Sequence, residues 1–335
     1  MASSFDPRAA YDAGLVGARS DPRADEEFGD YVIRCGGNPD GGEVAHEWEF
    51  AGLGAGKLTL LSPAVMQVFP GVFPNAAQLT GDCVAAAAAN CLVTSLGMEI
   101  DSGKPDEVTG QIECKPYTAP VGVTQGLIAR ESLWAWRGYD EDGWVCSEAA
   151  KTACERGFLV RRPYPDLKID LTRYTPDTIR LGGRRLPNEK WLAESQQHRA
   201  RTATFLKGRE QVRDYLAAGY GCFNCSGQGF TSKRDQNGVA RQVGRWAHAQ
   251  SWLGYDDRPE IHRLYGQALV LWLNQWGPGW ISGPRRVLGT NIDIPEGSFW
   301  ATADTIDRCG SCIALSSVIG WPRRKHTTYG ATGRI

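Results

Sequence analysis

The sequence predicts an α+β protein of two lobes, a helical half followed by a strand-rich half, on three observations. A polar turn, Gln78-Leu-Thr-Gly-Asp-Cys83, opens into an alanine-rich run that reads as a helix from Val84 to about Met98, because alanine is the best helix former. From Val212 onward the pattern changes to apolar runs separated by glycines and charged turns: Tyr220 to Phe230, Trp246 to Tyr255, Ala268 to Leu273, Ser298 to Thr302 and Ala314 to Ile319. That spacing is the signature of a small antiparallel barrel or sheet. Finally, 335 residues, 42% apolar and 22% charged with a formal net charge of −1, suffice for one or two domains with a large core.

Taken in order, residues 1–60 are rich in Asp, Arg, Gly and Pro and are expected to form a short arm that docks on the domain or on an assembly partner. A helical lobe is expected over residues 61–205. It begins with an extended stretch from Leu61 to Pro74, suggested by its prolines. Thr80 or Asp82 then caps the alanine-rich helix, with Val84, Ala87, Cys91 and Ser95 on one buried face. Residues 99–145 read as irregular apart from a helical piece between Gln125 and Trp134, and Ser147 to Arg156 forms a helix stopped by Gly157. Residues 166–205 read as a polar, helical, lobe-crossing insertion whose His198 is solvated, like His46. The β lobe follows over 206–320, and a solvated tail carrying Arg323-Arg-Lys325 over 321–335.

The chemistry gathers at three places. Cys83 stands at the first turn of its helix, where unpaired N–H groups and the helix dipole favour a thiolate, although a small buried cysteine would serve the turn equally well. Far downstream, Trp246-Ala-His248-Ala places a histidine at the start of a strand closing on Gly254-Tyr255, and the next strand ends in Asn274-Gln-Trp276-Gly-Pro-Gly-Trp280. A glutamine shortly before a helix-initial cysteine, a His-Ala strand ending in Gly-Tyr, and Asn-x-Trp-Gly-x-Gly-Trp, in that order, resemble the papain-like (C1) cysteine peptidases.

The resemblance implies a two-lobed fold, helical lobe plus antiparallel β-barrel lobe, with a cleft between them and a cysteine peptidase activity needing no cofactor. It implies Cys83 as nucleophile, His248 as its base and later the acid for the leaving amine, and Asn274 as the group that orients the imidazole. Gln78 and the Cys83 N–H would form the oxyanion hole, and Trp276 would cover the His–Asn hydrogen bond. Gly143 corresponds to a loop whose backbone pairs with extended substrate, and Asn224 is a candidate wall of the substrate groove. The chain departs from the family in three ways. Gln78 precedes Cys83 by five residues rather than six, Asp82 stands where a small neutral residue is usual, and Val84 replaces an aromatic residue.

The ten cysteines include two CxxC pairs, Cys222/Cys225 and Cys309/Cys312, which leave open packed thiols, a disulfide, or a weaker four-thiolate zinc alternative. Near-neutral charge argues against a nucleic-acid partner, and no run is long and apolar enough to span a bilayer. Met1-Ala-Ser-Ser-Phe has no apolar leader character, so a cytoplasmic location is expected. The other functional reading is a structural component of a larger assembly, such as a virion, that keeps the fold with little or no activity.

Overall fold

The computed structural model describes residues 17–34, 50–68, 73, 75–101, 127–183, 185–200 and 203–315. Much of the expected arm and all of the expected tail, with His46 and Arg323 to Lys325, lie outside the described residues.

The first part of the chain is mostly helical: β1 (Ala18–Arg19), α1 (Pro22–Arg34), β2 (Leu58–Leu60), α2 (Ser62–Val68), α3 (Cys83–Asp101), α4 (Arg130–Trp134), β3 (Trp144–Val145), α5 (Cys146–Glu155), the short ribbon β4 (Pro163–Tyr164) and β5 (Ile169–Asp170), and α6 (Glu189–Ser195). Strands dominate the rest: β6 (Ala203–Phe205), α7 (Gly208–Ala217), β7 (Gly221–Phe230), β8 (Gln242–Asp256), α8 (Pro259–Tyr265), β9 (Leu269–Leu273), β10 (Ser298–Thr302) and β11 (Cys309–Leu315). The expected order of a helical lobe and then a β lobe is therefore present.

Six strands run β10-β9-β8-β7-β11-β6, every pairing antiparallel, and β2 adds to the far end of β8. The sheet closes on itself because the β7–β8 connection returns to β10: Ala240 N–H donates to Trp300 O at 2.8 Å and Trp300 N–H to Gly238 O at 3.0 Å. Phe230, Trp272 and Phe299 fill the interior, with Trp252 set edge-on against Trp272.

Helix α3 joins the two halves. One buried face is expected, yet residues 83–98 are buried on every side, because α2, α4, α5, β7, β8 and β11 all pack on it. Alanine on all faces is what permits this, since small side chains let neighbouring backbones approach. At Gly221, for example, a Cβ would lie 2.1 Å from Cys91 O. A polar chain ties the helix to the β lobe: Asn90 donates to Gln275 Oε1 at 2.8 Å, Gln275 to Ser251 Oγ at 3.2 Å and Ser251 to Ala87 O at 3.1 Å.

The structure corrects four expectations. Leu61 to Pro74 does not run as a strand, since Ser62–Val68 is helix α2. Its Pro63 falls in the first turn, where a missing N–H removes no intrahelical bond. The stretch 166–205 contains little helix beyond α6 and short 3₁₀ turns. His198 is buried rather than solvated, stacked on Phe158 at 6.3 Å between ring centroids. The four-thiolate alternative over Cys222, Cys225, Cys309 and Cys312 does not form. Cys225 is bonded to Cys146, and residues three apart on a strand face opposite sides. That disulfide ties the start of α5 to β7, and so one lobe to the other.

Candidate active site

Strands β8 and β9 bring two of the expected residues together. His248 Nε2 lies 2.9 Å from Asn274 Oδ1, which also accepts the Trp276 N–H at 3.1 Å. Because a backbone N–H donates to that Asn274 atom, it is the oxygen, so the imidazole must carry its proton on Nε2. Nδ1 is thereby left as the basic nitrogen. It is buried and makes no hydrogen bond within the described protein, Cys83 included.

Aromatic packing holds this arrangement. Trp276 stacks on the imidazole at 4.8 Å and 23°, Trp246 packs on Trp276 at 4.6 Å, and Trp280 closes the cluster while donating to Gly297 O at 2.6 Å. Trp276 is thus a cover over the His248–Asn274 pair, as expected. The Asn274 main chain is anchored as well, its carbonyl accepting from Asn75 Nδ2 at 2.9 Å.

Cys83 is the first residue of α3 and is fully buried. The backbone N–H of Ala249, the residue after His248, approaches its sulfur, as do those of Gly17 and Val84. Burial pushes the thiol up to about 12, Asp82 adds to the shift, and the three N–H groups oppose it. The same burial holds His248 down to about 4 against its hydrogen bond with Asn274. In this closed arrangement the pair at neutral pH is therefore a thiol and a neutral imidazole.

Part of that burial comes from the chain's own beginning. Gly17 O accepts the Trp144 N–H at 2.8 Å, and β1 continues beside β3, with Ala18 opposite Trp144 and Arg19 opposite Val145. Arg19 donates to Asp142 O. Helix α1 follows, its Asp25 accepting hydrogen bonds from Ser147 of the helical lobe at 2.6 Å and from Ser311 of the β lobe at 3.5 Å. Residues 17–25 thus lie over the junction of the lobes, with Gly17 at the thiol.

The remaining expected residues fall as follows. Gln78 is buried, its N–H donating to Gln275 O at 3.0 Å and its side-chain Nε2 to Thr80 O at 2.7 Å, which leaves the second amide hydrogen for another acceptor. Gly143 lies against the turn before Cys83, its N–H donating to Gly81 O at 3.2 Å and its carbonyl accepting from the Tyr139 hydroxyl at 2.9 Å. Asn224 is fully buried on β7, with its Nδ2 donating to Gln250 O at 3.1 Å. A cavity of about 340 Å³ adjoins the turn before Cys83, between Leu79, Thr80, Asp142, Arg137 and Arg180.

Asp82 precedes the helix, but its side chain does not cap it. One carboxylate oxygen forms an ion pair with Arg130, whose Nε lies 3.0 Å away, and accepts the Tyr174 hydroxyl at 2.9 Å. Arg130 and Tyr174 are absent from the sequence reading, because their partner lies 48 and 92 residues away and no local pattern marks a long-range pair. The one available signal was Asp82 itself, a charge in a turn that should be neutral.

No family model matches the chain, and no curated protein matches it. Among solved structures it is similar to papain-like cysteine proteases. Xylellain, a cysteine protease from Xylella fastidiosa, has 13% identity and a TM-score of 0.46, with 95% of each chain covered. A recombinant stem bromelain precursor has 10% identity and a TM-score of 0.46, over 94% of this chain and 84% of that one. The procathepsin B S9 of Trypanosoma congolense has 13% identity and a TM-score of 0.44, over 78% and 77%.

Proposed function

We propose that the chain is a cysteine hydrolase of peptide or isopeptide bonds acting through Cys83, His248 and Asn274, and that the form described is a closed one. The observation that carries this reading is the buried imidazole, which Asn274 holds in the tautomer with a free Nδ1 on β8, the strand that packs against the helix Cys83 begins. A lone pair placed there, without a structural partner, suits a base better than a core histidine.

In the reaction, Nδ1 takes the thiol proton as sulfur bonds to the substrate carbonyl carbon. The oxyanion meets the Cys83 N–H and the second amide hydrogen of Gln78. The C–N bond breaks as Nδ1–H protonates the leaving amine. Water, deprotonated by the same nitrogen, then cleaves the thioester and frees the sulfur. Asn274 and Trp276 keep the ring oriented throughout. The cavity beside Thr80 and Asp142 would receive a substrate side chain, and residues 17–19 must move aside first.

One observation favours the second reading, a non-catalytic component of an assembly: Cys83 and His248 are both fully buried and are not hydrogen bonded to each other. Labelling with iodoacetamide or an epoxide near pH 6.5, followed by mass spectrometry, separates the two readings. A hydrolase should be modified first at Cys83, and should cleave a fluorogenic peptide library with an activity that Cys83→Ala reduces by roughly three orders of magnitude or more. Equal modification of the wild-type chain and Cys83→Ala would leave only the scaffold reading.

A further inference from the structure

The turn that carries Cys83 contains a carboxylate for which the hydrolytic steps have no use. Asp82 is fully buried next to the nucleophile, where a negative charge opposes a thiolate. An unpaired carboxylate in such a place would be strongly destabilising, so its partners have a task to perform.

Two side chains from the helical lobe answer it, and both also grip the turn. Arg130, on α4, sets its Nε 3.0 Å from Asp82 while its Nη1 donates to Ala76 O at 2.9 Å and its Nη2 to Ala77 O at 3.2 Å. Tyr174 donates its hydroxyl proton to Asp82 at 2.9 Å and accepts the Leu79 N–H at 2.9 Å on the same oxygen. The Arg130 guanidinium lies over the Tyr174 ring at 3.7 Å, which locks the pair together. Residues 76, 77, 79 and 82 are thus held on the way to Cys83. The other charges nearby are already engaged: Glu131 pairs with Arg161 at 2.6 Å, and Asp142 accepts from Thr80 Oγ1 and Gly81 N–H. Burial still pushes the Asp82 carboxyl up, with Arg130 and then Tyr174 holding it back.

We propose that Arg130 and Tyr174 are positioning residues for the nucleophile: they neutralise Asp82 and fix the turn from Ala76 to Asp82, so that the Cys83 sulfur faces His248 with no net negative charge beside it. This rests on reading Cys83 as the nucleophile. It turns the chain's departure at position 82 into part of the site. The acid and its two partners form one unit in which the charge matters as much as the shape.

The test is the pH profile of Cys83 alkylation, followed on the Cys83 peptide by mass spectrometry in the full chain. Arg130→Met is expected to slow alkylation near neutral pH about tenfold and to move the profile up by about one pH unit. Adding Asp82→Asn to Arg130→Met should bring the profile back, which loss of a purely structural contact would not allow. Asp82→Asn alone leaves Arg130 uncompensated and should move the profile down. That variant decides the matter even if Arg130→Met does not fold. Tyr174→Phe should move it upward by less than Arg130→Met. An unchanged profile in Asp82→Asn, or a double variant no better than Arg130→Met, would overturn the proposal while leaving Cys83 as nucleophile. A wild-type Cys83 that reacts no faster than the other thiols would remove the nucleophile and this proposal with it.

Discussion

Replacing Gly17 by valine should open the site, and the structure indicates by how much. A Cβ on Gly17 would lie 2.5 Å from Gly81 O, 2.9 Å from Gly143 Cα and 3.0 Å from Gly143 N. All three are backbone atoms, and they cannot drift apart, because Gly143 N–H donates to Gly81 O and the Asp142 carboxylate accepts from Thr80 and Gly81. Overpacking of this kind costs about 1–3 kcal/mol. Against it stand the Trp144 N–H bond to Gly17 O and the exposed Arg19 bond to Asp142 O, each contributing on the order of 1 kcal/mol net. The ratio of covered to uncovered forms should therefore fall by roughly fivefold to a hundredfold, at about 1.4 kcal/mol per factor of ten. Burial is the largest cause of the shifts at Cys83 and His248, so both groups should return toward their ordinary values as water enters. The assay is the rate of iodoacetamide modification at Cys83, with buried Cys91 and Cys222 as internal controls. A folded Gly17→Val chain whose Cys83 reacts at the wild-type rate would refute the covering role of residues 17–19.

Three further outcomes are expected. Asn274→Ala leaves His248 Nε2–H and the Trp276 N–H without their buried acceptor, so unfolding stability should drop by about 1–3 kcal/mol. Steady-state kinetics should show kcat reduced more than KM is changed; unchanged kcat would remove Asn274 from the site. Stability should also be greatest between the ordinary pKa values of the two buried groups, 6.5 for His248 and 9.0 for Cys83. Below that window the unfolded imidazole takes a proton that the folded one refuses until about 4, so stability falls with pH by about 3 kcal/mol. Above it the unfolded thiol ionises while the folded one stays protonated to about 12, so stability falls again as pH rises. Thermal melts across this range that show no acid-side loss in wild type relative to His248→Gln would contradict it. Finally, Cys146→Ser removes a cross-link between residues 79 apart in sequence and should lower stability by about 4 kcal/mol, read from denaturant midpoints. An unchanged midpoint would mean that the disulfide constrains little.

Local chemistry in the chain specified the central helix and four of the main β-lobe strands, while the pairing of His248 with Asn274 was implied by the family resemblance. The expected strand Ala314 to Ile319 shares only Ala314 and Leu315 with β11, and residues 316–319 lie outside the described residues. Alanine runs, apolar runs with glycine breaks, and an amide closing a strand all act within a few residues, and such signals survive without a tertiary context. Prolines misled at Leu61 to Pro74, because a proline suits a strand edge and a helix's first turn equally well.

Only the folded chain decided the rest: the Asp82–Arg130–Tyr174 unit, the Cys146–Cys225 bond, and Gly17 laid against the nucleophile. Each joins residues between 48 and 92 positions apart. Which partner a buried charge, thiol or backbone group finds depends on where two lobes bring surfaces into contact. Burial then sets the protonation of Cys83 and His248, through desolvation that no residue pattern carries by itself.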